Sequence, residues 1–116
     1  MNILLFAHHH LTKWKPHGGE KSMLAIVKYL RDRRHKVHVL VNNQKNSEQF
    51  TEEEDGITYE VVNNVDYVEH IQRAVAKKPD VALTWGMHSH FVVPICYDHG
   101  IPVVFFLRYW SPMMPP

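Results

Sequence analysis

The apolar positions of this chain fall into short blocks with two different periods. Ile3-Leu4-Leu5-Phe6 is an unbroken apolar run, the mark of a strand covered on both faces. Met23, Ile26, Val27 and Leu30 then recur at i, i+3, i+4 and i+7, which places them on one face of a helix over residues 20–33. Basic residues around Arg31 and Lys36 close that helix, where its dipole favours cations. Val37-His38-Val39-Leu40-Val41 reads as a second strand. His38 is its one polar position, expected as a partly buried or edge histidine with a local hydrogen bond. Residues 42–55 lack periodicity and read as a surface loop, with a short helical turn near 47–51 and a solvated acidic run, Glu52-Glu53-Glu54-Asp55. Asp55-Gly56 signals a turn. The alternating, β-rich Ile57-Thr58-Tyr59-Glu60-Val61-Val62 is a third strand, expected at the sheet edge.

The second half repeats the rhythm. Asn64 or Asp66 is placed to cap a helix over residues 67–77, with Val68, Ile71 and Val75 as its buried face and Pro79 as its stop. Residues 80–85 form a fourth strand. Residues 88–98 read as mostly helical, with Pro94 either kinking that helix or setting its start. Residues 103–107 form a fifth, strongly buried strand, and an irregular apolar tail follows. Strands alternating with helices predict an α/β class: one Rossmann-like domain over residues 1–116, an open parallel sheet of strand order 3-2-1-4-5 with helices on both faces.

In such sheets ligands bind beyond the carboxyl ends of the strands, where the order reverses. Residues 8–19, 85–90 and 108–110 converge there. The candidate binding residues are therefore His17, Gly18, Gly19, His88, Arg108 and Trp110. Two glycines before a helix let a ligand approach the backbone, and the helix's unpaired N–H groups favour an anion.

Composition narrows the classes. Of 116 residues 45% are hydrophobic, enough for a modest core. The formal net charge of +1 gives no field for nucleic acid. A single cysteine, Cys96, excludes an intrachain disulfide and suits a reducing compartment. No apolar run approaches the roughly 20 residues of a membrane span, and the first strand is too short for a secretory signal, so a cytoplasmic location is expected. Ten histidines invite a metal reading. His8-His9-His10 cannot all point one way, however, and no Cys-x-x-Cys or His-Glu-x-x-His accompanies them, so no metal is expected. The loop lacks Gly-x-Gly-x-x-Gly, no acid ends the second strand, and there is no P-loop or Gly-x-Ser-x-Gly elbow.

Several short motifs, in order, resemble the N-terminal domain of retaining GT-B glycosyltransferases of the group 1, GT4-like family. They are the opening Met1-Asn2-Ile3-Leu4-Leu5, Gly18-Gly19-Glu20, the stretch from Leu30 to Val39 with Arg34-His35-Lys36-Val37-His38-Val39, Pro79-Asp80-Val81, and Gly100-Ile101-Pro102-Val103-Val104. The segment Leu107-Arg108-Tyr109-Trp110-Ser111-Pro112 is similar to that after the fifth strand in a subset of the family. Four positions depart from the pattern, and Leu83 and Trp85 are two of them, standing where many members have histidine. Arg34 stands where the family usually has glycine. Arg108 stands where many members have histidine, and its guanidinium suits bidentate binding of a phosphate or sugar acid.

The resemblance implies the acceptor-binding half of an enzyme that transfers a hexosyl group to a saccharide or lipid-linked acceptor. The donor substrate is a nucleoside-diphosphate sugar, and no separate cofactor is implied. The missing partner is a donor-binding domain or subunit, without which the chain is expected to be inactive. Gly18 and Gly19 would face the donor diphosphate, His88 and Arg108 would position acceptor or phosphate, and Trp85, Tyr109 or Trp110 would stack on a sugar. Lipid-linked acceptors leave a peripheral membrane contact open, and the apolar tail suits a homodimer contact. A different class fits the same residues: a stand-alone Rossmann-like binding or regulatory module acting through a partner protein.

Overall fold

A computed structural model describes residues 1–7, 10–11, 18–43, 48–85 and 89–106. Its centre is β1 (Asn2–Ala7), buried from Ile3 to Ala7. Around it lie α1 (Gly18–Asp32), β2 (Lys36–Asn43), β3 (Phe50–Glu54), β4 (Ile57–Asn63), α2 (Tyr67–Ala76), β5 (Val81–Trp85), α3 (Ser89–Asp98) and β6 (Val103–Phe106). The six strands form one sheet in the order β3-β4-β2-β1-β5-β6. β1 pairs in parallel with β2 on one side and β5 on the other, so the order reverses between β1 and β5.

The continuous apolar run of β1 has its cause in the two layers. Ile3, Leu5 and Ala7 join Val37, Val39, Val41, Tyr59 and the α1 residues Met23 and Val27 on one face of the sheet. Leu4 and Phe6 join Leu40, Val62, Ile71 and Val75 and the α3 residues Val92 and Cys96 on the other. Successive strand residues point to opposite faces, so a strand sandwiched by helices needs apolar residues at every position. Ile26 and Leu30 pack, partly buried, beside Met23 and Val27, as the helical spacing predicts.

Five parallel strands keep the expected relative order, but the sheet has a sixth. Residues 50–54, expected as loop, form an antiparallel edge strand paired to β4, which is therefore not the edge. The reason is the Asp55-Gly56 pair. Both adopt positive φ, +56° and +78°, as the two-residue hairpin turn that matches strand twist requires. α1 locks this turn: Arg31 Nη1 donates to the Asp55 carbonyl at 2.8 Å and pairs with its carboxylate at 2.7 Å. A Cβ at position 56 would sit 3.0 Å from the Arg31 side chain. The acidic run then lies along the outer edge of the sheet, where charge discourages pairing with a second sheet.

Other expectations are corrected locally. On α2 the buried face is Tyr67, Ile71, Ala74 and Val75, while Val68 is exposed. The phase is set by Tyr67, one position, or about 100° of turn, from Val68. Asp66 makes no side-chain cap; instead its own N–H donates to Asn63 Oδ1 at 2.9 Å. α3 begins at Ser89 and carries Pro94 within it. In β6, Val104 is 44% and Phe105 45% exposed, against the expectation of a strongly buried strand. Among the described residues only β5 flanks β6, which there lacks the pairing on both sides that β1 has. The tail expected to mediate a homodimer lies outside the described residues.

Arg34 has φ +68° just past the end of α1, and its N–H donates to the Arg31 carbonyl at 2.8 Å. This is the left-handed helix stop that glycine adopts without penalty, which accounts for glycine at this position in the family the motifs resemble. The left-handed state costs an L-residue about 1–2 kcal/mol. Glycine's larger loss of chain freedom returns part of that, about 0.5–1 kcal/mol. Arg34→Gly is expected to raise stability by roughly 0.5–1 kcal/mol, read as a higher urea midpoint with an unchanged slope.

Candidate functional site

Each parallel strand runs from the same end of the sheet, and each following helix returns the chain. The N-termini of α1, α2 and α3 therefore gather at the carboxyl edge. At the point where strand order reverses, β1 ends at Ala7 and β5 at Trp85, with α1 opening at Gly18 and α3 at Ser89. Two helix N-termini thus flank this reversal point. Their first-turn N–H groups have no partner within their own helices and carry the positive ends of the dipoles. Gly18 and Gly19 are the first two residues of α1, which therefore starts two residues earlier than the sequence spacing places it. His17, His88, Arg108 and Trp110 lie outside the described residues.

The rest of this edge is polar, and the polar groups hold the turns. β2 ends in Asn42 and Asn43, 3% and 1% exposed. Asn42 Nδ2 donates to Asn64 Oδ1 at 3.0 Å, bracing the turn after β4, and Asn43 Nδ2 donates to the Glu48 carbonyl at 3.0 Å. A ribose-binding acid would stand at the end of this strand in a dinucleotide site, and amides committed to neighbouring turns replace it. Tyr67 is buried below this edge, and burial pushes its hydroxyl pKa up.

Two histidine–carboxylate groups were not legible from sequence. His10 is fully buried on the α1 face. Its ring stacks on Tyr59 at 4.0 Å between centroids and 17° between planes, and Nε2 lies 2.9 Å from Glu52 Oε1 of the edge strand. Glu52 is therefore engaged rather than merely solvated. On the opposite face, Glu60 of β4 lies between His38 of β2, 3.0 Å from Oε1, and His70 of α2, 3.2 Å from Oε2. The expected local hydrogen bond of His38 is this one. The alternation of β2 and β4 signals that both residues share a face, but the parallel register that sets them side by side is tertiary.

A cavity of about 270 Å³ lies at the other end of the sheet, among the amino ends of the strands. Ile3, Leu4, Lys36, His38, Lys77 and Pro79 are in its wall. Cys96 is buried against the sheet, and burial pushes its thiol up to about 11. A thiol held protonated and out of solvent is a packing residue rather than a nucleophile.

Neither a protein-family model nor a curated protein sequence matches the chain. Among solved structures, the fold is similar to one described as trehalose-6-phosphate from E. coli bound with UDP-2-fluoro glucose, with a TM-score of 0.51 and 12% identity. The match covers 92% of this chain, which spans about a third of the length of that one, 33%. At this identity the likeness concerns the fold.

Two outcomes test this description. The hydrogen bond from His38 holds the Glu60 carboxyl below its ordinary value of 4.5, against the opposing effect of burial. A depressed native pKa means stability present above the unfolded pKa and lost as pH falls through the native one. The gap in urea midpoint between the wild type and Glu60→Gln is expected to be widest near neutral pH and to close on acidification below that value. The Cys96 thiol should resist an aromatic disulfide reagent in the native protein at mildly alkaline pH and react fully in urea; rapid native labelling would contradict its burial.

Proposed function

We propose that this chain is the acceptor-side half of a GT-B-type glycosyltransferase, acting with a donor-binding domain or subunit. The observation that carries the reading is the position of Gly18-Gly19, at the opening of α1 and beside the strand-order reversal. The ordered motifs and the fold likeness to a protein holding a UDP-sugar analogue support it.

In such a transfer the acceptor hydroxyl bonds to the anomeric carbon as the bond to the nucleoside diphosphate breaks, and the diphosphate leaves with growing negative charge. Amides at the start of α1, with no Cβ in the way, are suited to receive that charge. Fixed donors aimed at developing charge are a strong source of rate enhancement, about 2.7–4 kcal/mol for one such donor. His17, His88 and Arg108 are assigned to the acceptor and phosphates, and Trp110 to a sugar face. The metal-free, nucleotide-sugar chemistry and the choice of a saccharide or lipid-linked acceptor belong to this proposal as well.

The test is sugar transfer by the chain completed with its donor half, using UDP-glucose and ADP-glucose as donors. Gly19→Asp is expected to lower kcat by about 100-fold or more. The fold should be kept, because an acid in the first turn of a helix is favourable. Full activity in this variant would overturn the assignment. The isolated chain is expected to bind UDP weakly at most, since the donor contacts come from the other half.

A further inference from the structure

We propose that His10, Glu52 and Glu54 form a binding site for a divalent transition-metal cation of the zinc type. The inference stands apart from the transferase reading. Three adjacent histidines, His8-His9-His10, cannot converge on one ion. The fold instead joins one of them to carboxylates more than forty positions away, His10 and Glu52 being separated by 42.

One ligand atom from each of the three side chains lies within 4.8 Å of the others. Glu52 and Glu54 are two residues apart on β3, so both point to the same face. That face is the α1 side, where Phe50 packs into the core beside Tyr59. The His10 ring is fixed before any ion arrives, stacked on Tyr59 and lying 6.4 Å from Phe50 at 24°. Its Nε2 is 2.9 Å from Glu52 Oε1. Two ligands on tetrahedral zinc, with bonds of about 2.0–2.1 Å, stand roughly 3.3 Å apart. A small opening of this pair therefore admits the ion, with the cation replacing the shared proton. Glu54, only partly buried, supplies the third bond by a side-chain rotation.

The donor set selects among cations. One imidazole and two carboxylates suit zinc and its neighbours, with water in a fourth position. Calcium and magnesium favour oxygen-only shells and discriminate against His10. The two carboxylates carry the charge that a divalent ion neutralises. None of the three side chains is without other contacts, so the ion binds in competition with them. Its structural effect follows from where the ligands sit. It would tie the segment after β1, which leads to Gly18, to the edge hairpin.

The experiment titrates the metal-free chain with Zn²⁺ in competition with a chromophoric chelator, and with Co²⁺ followed by visible absorption. Expected are one ion per chain, a visible Co²⁺ spectrum of tetrahedral type, and a thermal midpoint that rises with Zn²⁺ concentration. Losing an outer-shell partner weakens metal sites about 10–100-fold, so losing a direct ligand should cost at least that. Glu54→Gln and Glu52→Gln are each expected to lower Zn²⁺ affinity by this much while keeping the wild-type circular dichroism. Should Glu52→Gln fail to fold, Glu54→Gln decides alone, since it leaves the His10–Glu52 pair in place. Unchanged affinity in Glu54→Gln would place the ion on other histidines and overturn the proposal. Absence of Zn²⁺ binding tighter than micromolar by the wild type would overturn it too.

Discussion

β1 has no face in water, and the architecture follows from that. A strand with apolar residues from Ile3 to Ala7 must be covered above and below and paired on both edges. α1 supplies one cover, and α2 with α3 supplies the other. Parallel neighbours on both sides then require crossovers that leave in opposite directions. The carboxyl end of β1 is where they part, and the opening of α1 is carried to that point. The proposed substrate crevice is thus a by-product of how the most apolar strand is buried.

A second, smaller constraint holds the far edge. The Asp55-Gly56 turn has the backbone twist a two-residue hairpin needs, and Arg31 at the end of α1 binds it through both carbonyl and carboxylate. An exposed ion pair alone contributes little. Here the charged group also donates to a backbone carbonyl at a tight turn, so it sets position as well as energy. The edge strand this creates brings Glu52 to His10. Among the described residues the opposite edge shows no such device: β6 leaves Val104 and Phe105 exposed, and a sheet edge of that kind invites a further strand or a partner.

The histidines show how little a residue's type says about its task. His10 is sealed between an aromatic ring and a carboxylate, His38 and His70 share Glu60, and His35 lies 3.1 Å from the N-terminal amine through Nδ1. Each is engaged by groups that face it across the sheet or from a neighbouring element. Only the cluster with two carboxylates within reach of one nitrogen has metal-binding geometry among the described residues.

By itself the sequence determined the α/β class, the relative order of five parallel strands and the faces of α1. Local periodicity carries that information, because burial on one face or two writes itself directly into residue spacing. It also marked Gly18-Gly19 as the head of a helix, since glycine pairs before amphipathic runs are local signals. Tertiary structure decided the rest. Residues 50–54 became a strand because β4 offered a free edge and the turn chemistry at Asp55-Gly56 fitted, whereas their charges alone read as loop. Val68 turned outward because Tyr67 took the sheet side. The two histidine–carboxylate groups arose from register and loop path, which bring together residues that no spacing rule connects. Pairing across a sheet is non-local, so its chemistry appears only once the strands have found their neighbours.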